Sequence, residues 1–249
     1  MDTELLRTAV MGTHPNLDVR AGVLEERSSF RGSVASADEL DVVFVGVPSA
    51  ERFEAASSAL RKGAHVFLEW PPSSSIRECA RLVDLAEEAG LEVAVSRPLR
   101  VAAGDVLGQR RAQILSMSVK GVPSVVAALA DVIDLAFAVG QSGSVRRVEA
   151  EAAHDAARSM TSVAVSLRFH SGTFAQALIR TGGRAGGVEL YAADQDVEKD
   201  IVLHAGRAEL VEETGGVLRA LEKADPAPVS ALDALQTMRV IERVMSVLR

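Results

Sequence analysis

The chain contains little cysteine and few aromatic residues. Of its 249 residues only Cys79 is a cysteine, and aromatic residues make up 4%. A single cysteine excludes an internal disulfide and a cysteine-based zinc site, and it fits a reducing compartment. The core must therefore be built mainly from Val, Leu, Ile and Ala, and the hydrophobic content of 48% is ample for this. Length and composition predict a globular chain of one large or two ordinary domains.

The chain also lacks a long apolar run and an excess of positive charge. Its longest weakly polar stretch, Val122–Val139, is interrupted by Asp131 and Asp134, whose carboxylates would be costly inside a bilayer. Lys and Arg number 27 against 34 Asp and Glu, and the resulting net charge of −7 argues against a general nucleic-acid binder. The acidic, polar start of the chain does not resemble a targeting signal. We expect a cytoplasmic protein that binds neither nucleic acid nor membrane.

Strand-like and helix-like patterns alternate over the first hundred residues. The clearest strand is Asp41–Gly46, whose four consecutive apolar residues fit a parallel strand that is covered on both faces. Helical patterns begin at Ser49 and at Ser75, and short apolar runs between them predict further strands. Strand–helix alternation with short connections is typical of a parallel sheet with right-handed crossovers. We therefore predict an α/β domain with a parallel sheet over residues 1–100.

The pattern changes after residue 100. The segment Val163–Phe169 alternates apolar and polar residues, which is typical of a strand with one solvated face. A turn signal at residues 170–172 separates it from Phe174–Ile179, which has the pattern of the returning strand of a hairpin. Helical patterns cover Val122–Val139 and Ser230–Leu248. We predict an α+β domain over residues 101–249, with a largely antiparallel open sheet.

Three segments together resemble the Gfo/Idh/MocA-type oxidoreductases. The run Asp41–Arg100 has this family's order of an apolar strand, a proline turn, a helix, a Gly-Lys-His-Val segment and a Glu-Lys-Pro motif. The segment Asp131–Gly140 is similar to the family's His-x-x-Asp-Leu helix, and Ala224–Ser246 resembles its closing Pro-Val-Ser helix. The resemblance implies a Rossmann-like domain, then an α+β domain whose open sheet forms a subunit interface. It also implies an ancestral NAD(P)-dependent hydride transfer.

The phosphate-binding loop departs from the dinucleotide pattern. A Gly-x-Gly-x-x-Gly loop lets bare backbone approach the pyrophosphate at the N-terminus of a helix. The corresponding segment, residues 12–17, keeps only Gly12 of the three glycines. A side chain at His14 would obstruct the close backbone approach, and Leu17 would hold the helix away from the strand. We interpret Gly12 as the end of a strand, with residual phosphate binding as the alternative.

The second strand and the acid that would bind the ribose are also difficult to place. Between Leu24 and Asp41, only Phe30–Val34 has a strand pattern, so a whole strand–helix unit is missing. In an alternative alignment Leu17–Leu24 is the second strand, Glu25 is the ribose acid, and the first helix is the missing element. Both alignments leave the adenosine half of the site damaged.

The three polar groups that the resemblance assigns to catalysis are replaced. Trp70 stands at the lysine of the Glu-Lys-Pro motif, Ala127 at the family's aspartate, and Asp131 at the histidine that acts as general acid and base. An aspartate with an ordinary pKa near 4 is a poor proton donor at pH 7. Trp70 either fills the former pocket or stacks on a planar ligand. Asp131 and Asp134 lie three residues apart, but no further oxygen ligand is evident nearby, so we predict no metal site.

The sequence predicts a shortened member that has lost standard NAD(P)-dependent hydride transfer and acts as a binding, regulatory or partner subunit. We expect it to form a homodimer or higher homo-oligomer through the C-terminal sheet, and a protein partner is a further option. One alternative is an active NAD(P)-dependent oxidoreductase for a sugar-like or small alcohol or carbonyl substrate, with His14 or Asp131 transferring the proton. Another is a non-redox enzyme, such as a lyase or isomerase, that reuses the cleft. The residues assigned to this cleft are Gly12, Thr13, His14, Pro48, Ser49, Glu69 and Trp70.

Overall fold

The structure is a computed structural model that describes residues 5–107, 112–140, 144–183, 187–194 and 198–249. The chain divides into two compact units. The first comprises Met1–Pro98 and Gly206–Leu235, and the second comprises Leu99–Ala205 and Gln236–Arg249. The units are therefore not two consecutive blocks of chain, and the domains expected over residues 1–100 and 101–249 stay a prediction.

The described residues form strands and helices in the following chain order. The elements are β1 (Arg7–Gly12), α1 (Asn16–Arg27), β2 (Ser29–Ser33), β3 (Val42–Gly46), α2 (Ser49–Arg61), β4 (His65–Leu68), α3 (Ile76–Ala89), β5 (Val93–Val95), α4 (Pro98–Leu107), β6 (Ile114–Val119), α5 (Val125–Gly140), β7 (Val145–His154), β8 (Met160–Phe169), β9 (Phe174–Arg180), β10 (Val188–Ala193), β11 (Glu198–Leu203), α6 (Arg207–Glu222) and α7 (Ala231–Val247).

The first unit is built on a parallel sheet with the strand order β2-β1-β3-β4-β5. All five residues of β3 are buried, as expected for an apolar strand with both faces covered. The helix α3 begins at Ser75, whose side chain accepts a hydrogen bond from the Glu78 N–H at 3.2 Å. It ends at Gly90, which adopts the left-handed conformation with φ 65°. The predicted parallel α/β fold is confirmed.

The strand order identifies the missing strand–helix unit. A full dinucleotide-binding sheet has the order 3-2-1-4-5-6, so the strand that lies outside the second strand is the one this sheet lacks among the described residues. The alternative alignment, in which Leu17–Leu24 is a strand, is wrong because these residues lie within α1. As a result β2 is an edge strand. It contains Gly32 with φ 79°, and its pairing with β1 shifts register between Thr8 and Val10.

The second unit is built on a six-stranded sheet with the order β11-β10-β6-β9-β8-β7. Neighbouring strands are antiparallel except for β6 and β9, which are parallel. One face of the sheet packs in a core with α5, where Ile133 and Leu135 are fully buried. The other face carries alternating side chains such as Ser116 and Gln176, joined by a hydrogen bond of 3.2 Å. The predicted, mostly antiparallel second sheet is confirmed.

The length and apolar character of the helices decide whether one of them could span a bilayer. A membrane-spanning helix needs about 20 predominantly apolar residues. Among the helices in the described ranges, none combines the length and the apolar character needed to cross a membrane.

His65 gives the first unit a pH-dependent stability. Burial lowers the pKa of this half-buried imidazole below its ordinary value of 6.5, against the opposing charges of Glu92 and Asp41. Because the unfolded chain then binds a proton more readily than the folded chain, we expect the free energy of unfolding to fall as the pH drops below about 6.5. Replacing His65 by Asn keeps an acceptor for the Glu92 N–H, which donates to Nδ1 at 2.9 Å. Urea unfolding between pH 7 and pH 5 should give a flatter profile for His65→Asn.

The matched control for this prediction is His154→Asn, which changes an exposed imidazole at the end of β7. An equal flattening in both variants would show that the effect does not come from His65.

Candidate functional site

Four strand ends meet at one edge of the parallel sheet, which we call the carboxyl edge. In a parallel sheet the carboxyl ends of all strands lie on the same side, which is where α/β proteins bind ligands. The residues that follow these strands are Gly12, Thr13 and His14 after β1; Pro48 and Ser49 after β3; Glu69 and Trp70 after β4; and Ser96 and Arg97 after β5. The structure therefore brings together all seven residues that the sequence assigned to the cleft.

Gly12 is required by the close approach of two strand ends. Its φ is 103°, and a Cβ placed on it would lie 2.6 Å from the carbonyl carbon of Gly46 and from the nitrogen of Val47. Gly46 itself packs against the loop, because a Cβ there would lie 2.6 Å from the Cβ of His14. The only fingerprint glycine left thus serves the contact between β1 and β3, in agreement with its interpretation as a strand end.

The backbone donors at the start of α1 are engaged within the loop itself. The N–H of His14 donates to the carbonyl of Gly46 at 3.1 Å, and the N–H of Leu17 donates to the carbonyl of His14 at 2.9 Å. The N–H of Asn16 donates to Nδ1 of the His14 imidazole at 3.3 Å. Pro15, which precedes the helix, has no N–H. These are the groups that would face an anion at a helix N-terminus.

Negative charge already surrounds this helix terminus. Asp18 lies in the first turn of α1 and is exposed. The carboxylate of Glu69 accepts a hydrogen bond from Nδ2 of Asn16 at 2.9 Å, and its Oε2 lies 3.8 Å from Nδ1 of His14. A helix N-terminus carries a partial positive charge of about half a unit, which the carboxylate of Asp18 in the first turn complements.

Glu69 belongs to a buried ion network centred on Arg20. The Arg20 side chain is 0% exposed, and its Nε donates to Oε1 of Glu69 at 2.6 Å. Its Nη2 donates to Glu213 at 2.9 Å and to Ser96 at 2.7 Å, while Nη1 donates to Thr214 at 2.9 Å. The guanidinium thus joins α1 to the ends of β4 and β5 and to α6.

The sequence analysis missed this network, although α1 carries a signal for it. The buried residues of the helix are Leu17, Arg20, Val23 and Leu24, so the arginine lies within the apolar stripe. An arginine on the buried face of a helix needs carboxylate or carbonyl partners, because a buried charge without a partner is costly. Its partner Glu213 lies 193 residues away in the chain, and the sequence pattern alone does not identify it.

Glu213 is held by donors from three directions. Burial raises the pKa of its carboxyl, and the charge of Arg20 opposes that effect. The Ser96 hydroxyl donates to Oε2 at 3.0 Å, and the backbone N–H of Arg97 donates to Oε1. The carboxylate therefore fixes the backbone at the end of β5, where Arg97 lies at the carboxyl edge.

Arg52 fixes the turn that follows β4. This buried side chain on α2 donates from Nε to the carbonyl of Val47 at 2.8 Å. Its Nη1 donates to the carbonyls of Glu69 at 2.9 Å and Pro71 at 2.5 Å. The segment Glu69–Trp70–Pro71 is thereby attached to the end of β3 through backbone carbonyls.

Trp70 is stacked against an arginine. The guanidinium carbon of Arg97 lies 3.3 Å from the centre of the Trp70 ring, and Arg97 is 3% exposed. A guanidinium over an indole face is a favourable cation–π contact. One face of the ring is therefore occupied by a side chain of the same unit.

The α5 residues considered in the sequence, Ala127, Asp131 and Asp134, lie in the second unit. Ala127 is exposed and Asp131 is half-buried. Asp134 is 2% exposed and forms two hydrogen bonds with Arg100, from Nε to Oδ2 at 3.0 Å and from Nη2 to Oδ1 at 2.9 Å. Within the part of the chain that the structure describes, no group of three or more His, Cys, Asp or Glu side chains is placed to hold a metal ion.

The first unit is similar in sequence to a known protein family. Residues 19–97 match the model of the Gfo/Idh/MocA oxidoreductase family, described as an NAD-binding Rossmann fold. The predicted resemblance to this family is confirmed. The matched span begins after His14 and Leu17, the residues that replace the second and third glycines of the fingerprint.

Solved structures of dehydrogenases and reductases share the fold. A UDP-N-acetylglucosamine 3-dehydrogenase from Acidithiobacillus ferrooxidans is 17% identical with a TM-score of 0.84, and the match covers 98% of this chain and 97% of that one. A scyllo-inositol dehydrogenase from Lactobacillus casei, solved with NAD(H) and scyllo-inositol, is 12% identical with a TM-score of 0.79, covering 98% and 97%. A Synechocystis biliverdin reductase, solved with biliverdin and NADP+, is 17% identical with a TM-score of 0.70, covering 98% and 99%.

Removing Arg20 should leave two buried carboxylates without their common cation. We expect Arg20→Met to lower the free energy of unfolding by about 3–5 kcal/mol, the usual cost of breaking a buried ion pair from one side. The loss should be larger at pH 8 than at pH 5, because burial raises the pKa of Glu213 and its protonation relieves the uncompensated charge. Urea unfolding of both proteins at the two pH values measures this.

The control for this prediction is Arg61→Met, which removes an exposed arginine from the last turn of α2. A loss of under about 1 kcal/mol for Arg20→Met, similar to that of a surface change, would contradict the role of this network.

Proposed function

We propose that this chain has given up standard NAD(P)-dependent hydride transfer and acts as a binding, regulatory or partner subunit. The observation that carries the proposal is the N-terminus of α1. There Pro15 offers no N–H, and the N–H groups of His14, Asn16 and Leu17 are bound within the loop. A pyrophosphate arriving at this terminus would meet donors that are already used and the carboxylate of Asp18 in the first turn.

The nicotinamide end of the cleft supports the same proposal. Its Glu-Lys-Pro lysine is replaced by Trp70, which lies against Arg97 and cannot supply an ammonium donor. On α5, Ala127 and Asp131 stand at the positions of the family's aspartate and histidine. The residues present therefore do not fit a dinucleotide bound and reduced in the manner that the family resemblance implies.

One observation favours an enzyme as the second candidate. The His14 side chain is 32% exposed, and its Nδ1 lies 3.8 Å from Oε2 of Glu69. An imidazole beside a carboxylate at the mouth of a cleft is suited to proton transfer. Under this candidate, His14→Asn would abolish an activity that the wild-type chain possesses.

The proposal predicts that NADH and NADPH do not bind in the usual concentration range. Trp70 is the only tryptophan and lies at the carboxyl edge, so its fluorescence reports any ligand that reaches that edge. We expect no saturable change in emission up to about 1 mM of either nucleotide, the upper end of typical KM values. Isothermal titration calorimetry over the same range should also show no binding heat.

Two results would contradict the loss of standard chemistry. These are micromolar binding of either nucleotide together with turnover of a sugar, alcohol or carbonyl substrate, and a pyridine nucleotide that remains with the purified protein in native mass spectrometry. His14→Asn then separates a surviving activity that depends on this imidazole from one that does not.

We also propose that a second copy of the chain covers the open face of the six-stranded sheet. That face carries Phe174 and Leu178, both half-buried, and Ile114, which is 50% exposed. An open sheet face with exposed apolar side chains among polar ones is suited to pairing with another surface, and a two-fold partner is the simplest cover.

If a second copy covers this face, a charged side chain introduced at its centre should lower the mass of the particle in solution. Multi-angle light scattering should report twice the chain mass for the wild type, and Ser116→Arg should shift the population to monomer because an unpaired guanidinium would be buried. Glu51→Arg on the exposed surface of α2 is the matched control. A wild-type monomer at about 10 μM would contradict the proposal.

A further inference from the structure

A second concave site lies in the first unit, away from the carboxyl edge. It is an open groove of about 460 Å³ between the last turns of α3 and the start of α7, and we call it the α3–α7 groove. Its wall includes residues 90–93, which lead into β5. Ser96 and Arg97 follow the other end of this strand. The groove and the candidate site are therefore at opposite ends of β5.

The floor and rim of the groove are apolar. Val83 and Ala86 of α3, Leu91 and Pro226 contribute side chains, and Leu232 at the start of α7 is 48% exposed. The concave, mainly apolar lining gives a surface on which another molecule can bury apolar atoms. The volume is of the size that accommodates one long side chain together with its neighbours.

The same groove concentrates negative charge. Two lining residues, Glu87 and Glu92, are acidic, and no described lining residue is basic. The groove also contains Gly90, the C-cap of α3, and the last turn of that helix contains no basic residue. A helix C-terminus carries a partial negative charge of about half a unit, so a cation placed here would be stabilised. The carboxylates make the helix end more negative.

We propose that the α3–α7 groove docks a segment of a partner protein that presents a lysine or arginine beside apolar side chains. The aliphatic stem of such a residue would cover Val83 and Leu91 while its charged end reaches Glu87 and Glu92. The second copy proposed above covers the six-stranded sheet of the second unit, so the occupant proposed for this groove is a different protein. This inference names a partner surface for the binding role proposed above and to that extent rests on it.

Three short peptides test the chemistry of the occupant. They are acetyl-Ala-Leu-X-Leu-Ala-amide with X as arginine, norleucine or glutamate, titrated into the full chain and followed by backbone amide shifts. We expect the arginine peptide to shift residues 83–93 and 226–232 in a saturable manner, the norleucine peptide to bind at least about threefold more weakly, and the glutamate peptide not to saturate.

Variants of the two carboxylates locate the effect. Glu87→Gln combined with Glu92→Gln keeps the side-chain shape and should weaken binding of the arginine peptide roughly three- to tenfold. The Ala227 N–H donates a hydrogen bond to the Glu92 carboxylate at 3.4 Å, and the amide oxygen of Glu92→Gln can still accept it. Glu26→Gln, on the exposed surface of α1, removes a carboxylate elsewhere and should leave the affinity unchanged.

The outcomes separate this inference from the proposed function. Equal binding of the arginine and norleucine peptides, shifts outside the groove, or equal effects of the paired and control variants would overturn the docking proposal. Absence of any saturable binding would also overturn it. None of these results bears on nucleotide binding at Trp70, which the fluorescence titration reports independently.

Discussion

The buried guanidinium of Arg20 is the interaction on which the candidate site depends. It is fully buried, and it binds carboxylates from two distant parts of the chain, Glu69 after β4 and Glu213 on α6. A buried pair contributes to specificity mainly because every alternative arrangement leaves a charge without a partner. Arg20 holds the residues at the ends of β4 and β5, and Arg52 holds the turn that contains Trp70.

The same arrangement shows how the fold is kept while residues at the carboxyl edge differ from those that the family resemblance implies. The glycine contact between Gly12 and Gly46 remains, since β1 and β3 cannot approach without it. At the start of α1 the backbone N–H groups of His14, Asn16 and Leu17 donate hydrogen bonds to protein acceptors. The architecture and the recognition of a ligand use different atoms of the same loops. Ligand recognition can therefore change while the architecture is kept.

The sequence predicted best the elements whose pattern is local. The strand β3 and the helix α3 were predicted because one is a continuous apolar run and the other has a cap at each end. The strand β7 was not predicted, since Arg147, Glu149 and Glu151 make it polar along one face and small residues fill much of the other. The helix α6 was missed because a Gly-Gly pair interrupts its helical pattern.

The candidate site was predictable only in part, for a related reason. Residues that follow predicted strands could be assigned to a common edge, which located His14, Ser49 and Trp70. The partners of these residues could not be assigned, because Arg20 and Glu213 are brought together by tertiary packing over 193 residues. The stacking of Arg97 on Trp70 depends likewise on how two strand ends are placed side by side.

Within the described residues β2 forms the edge of the first sheet, where it can meet other chains. An unpaired strand presents a row of free amides and carbonyls, which can template the growth of a fibril. Here the left-handed Gly32 and the slip in pairing between Thr8 and Val10 bend that edge away from a flat ladder. The irregular edge strand thus opposes aggregation. A substitution at Gly32 that straightened the strand would remove this protection.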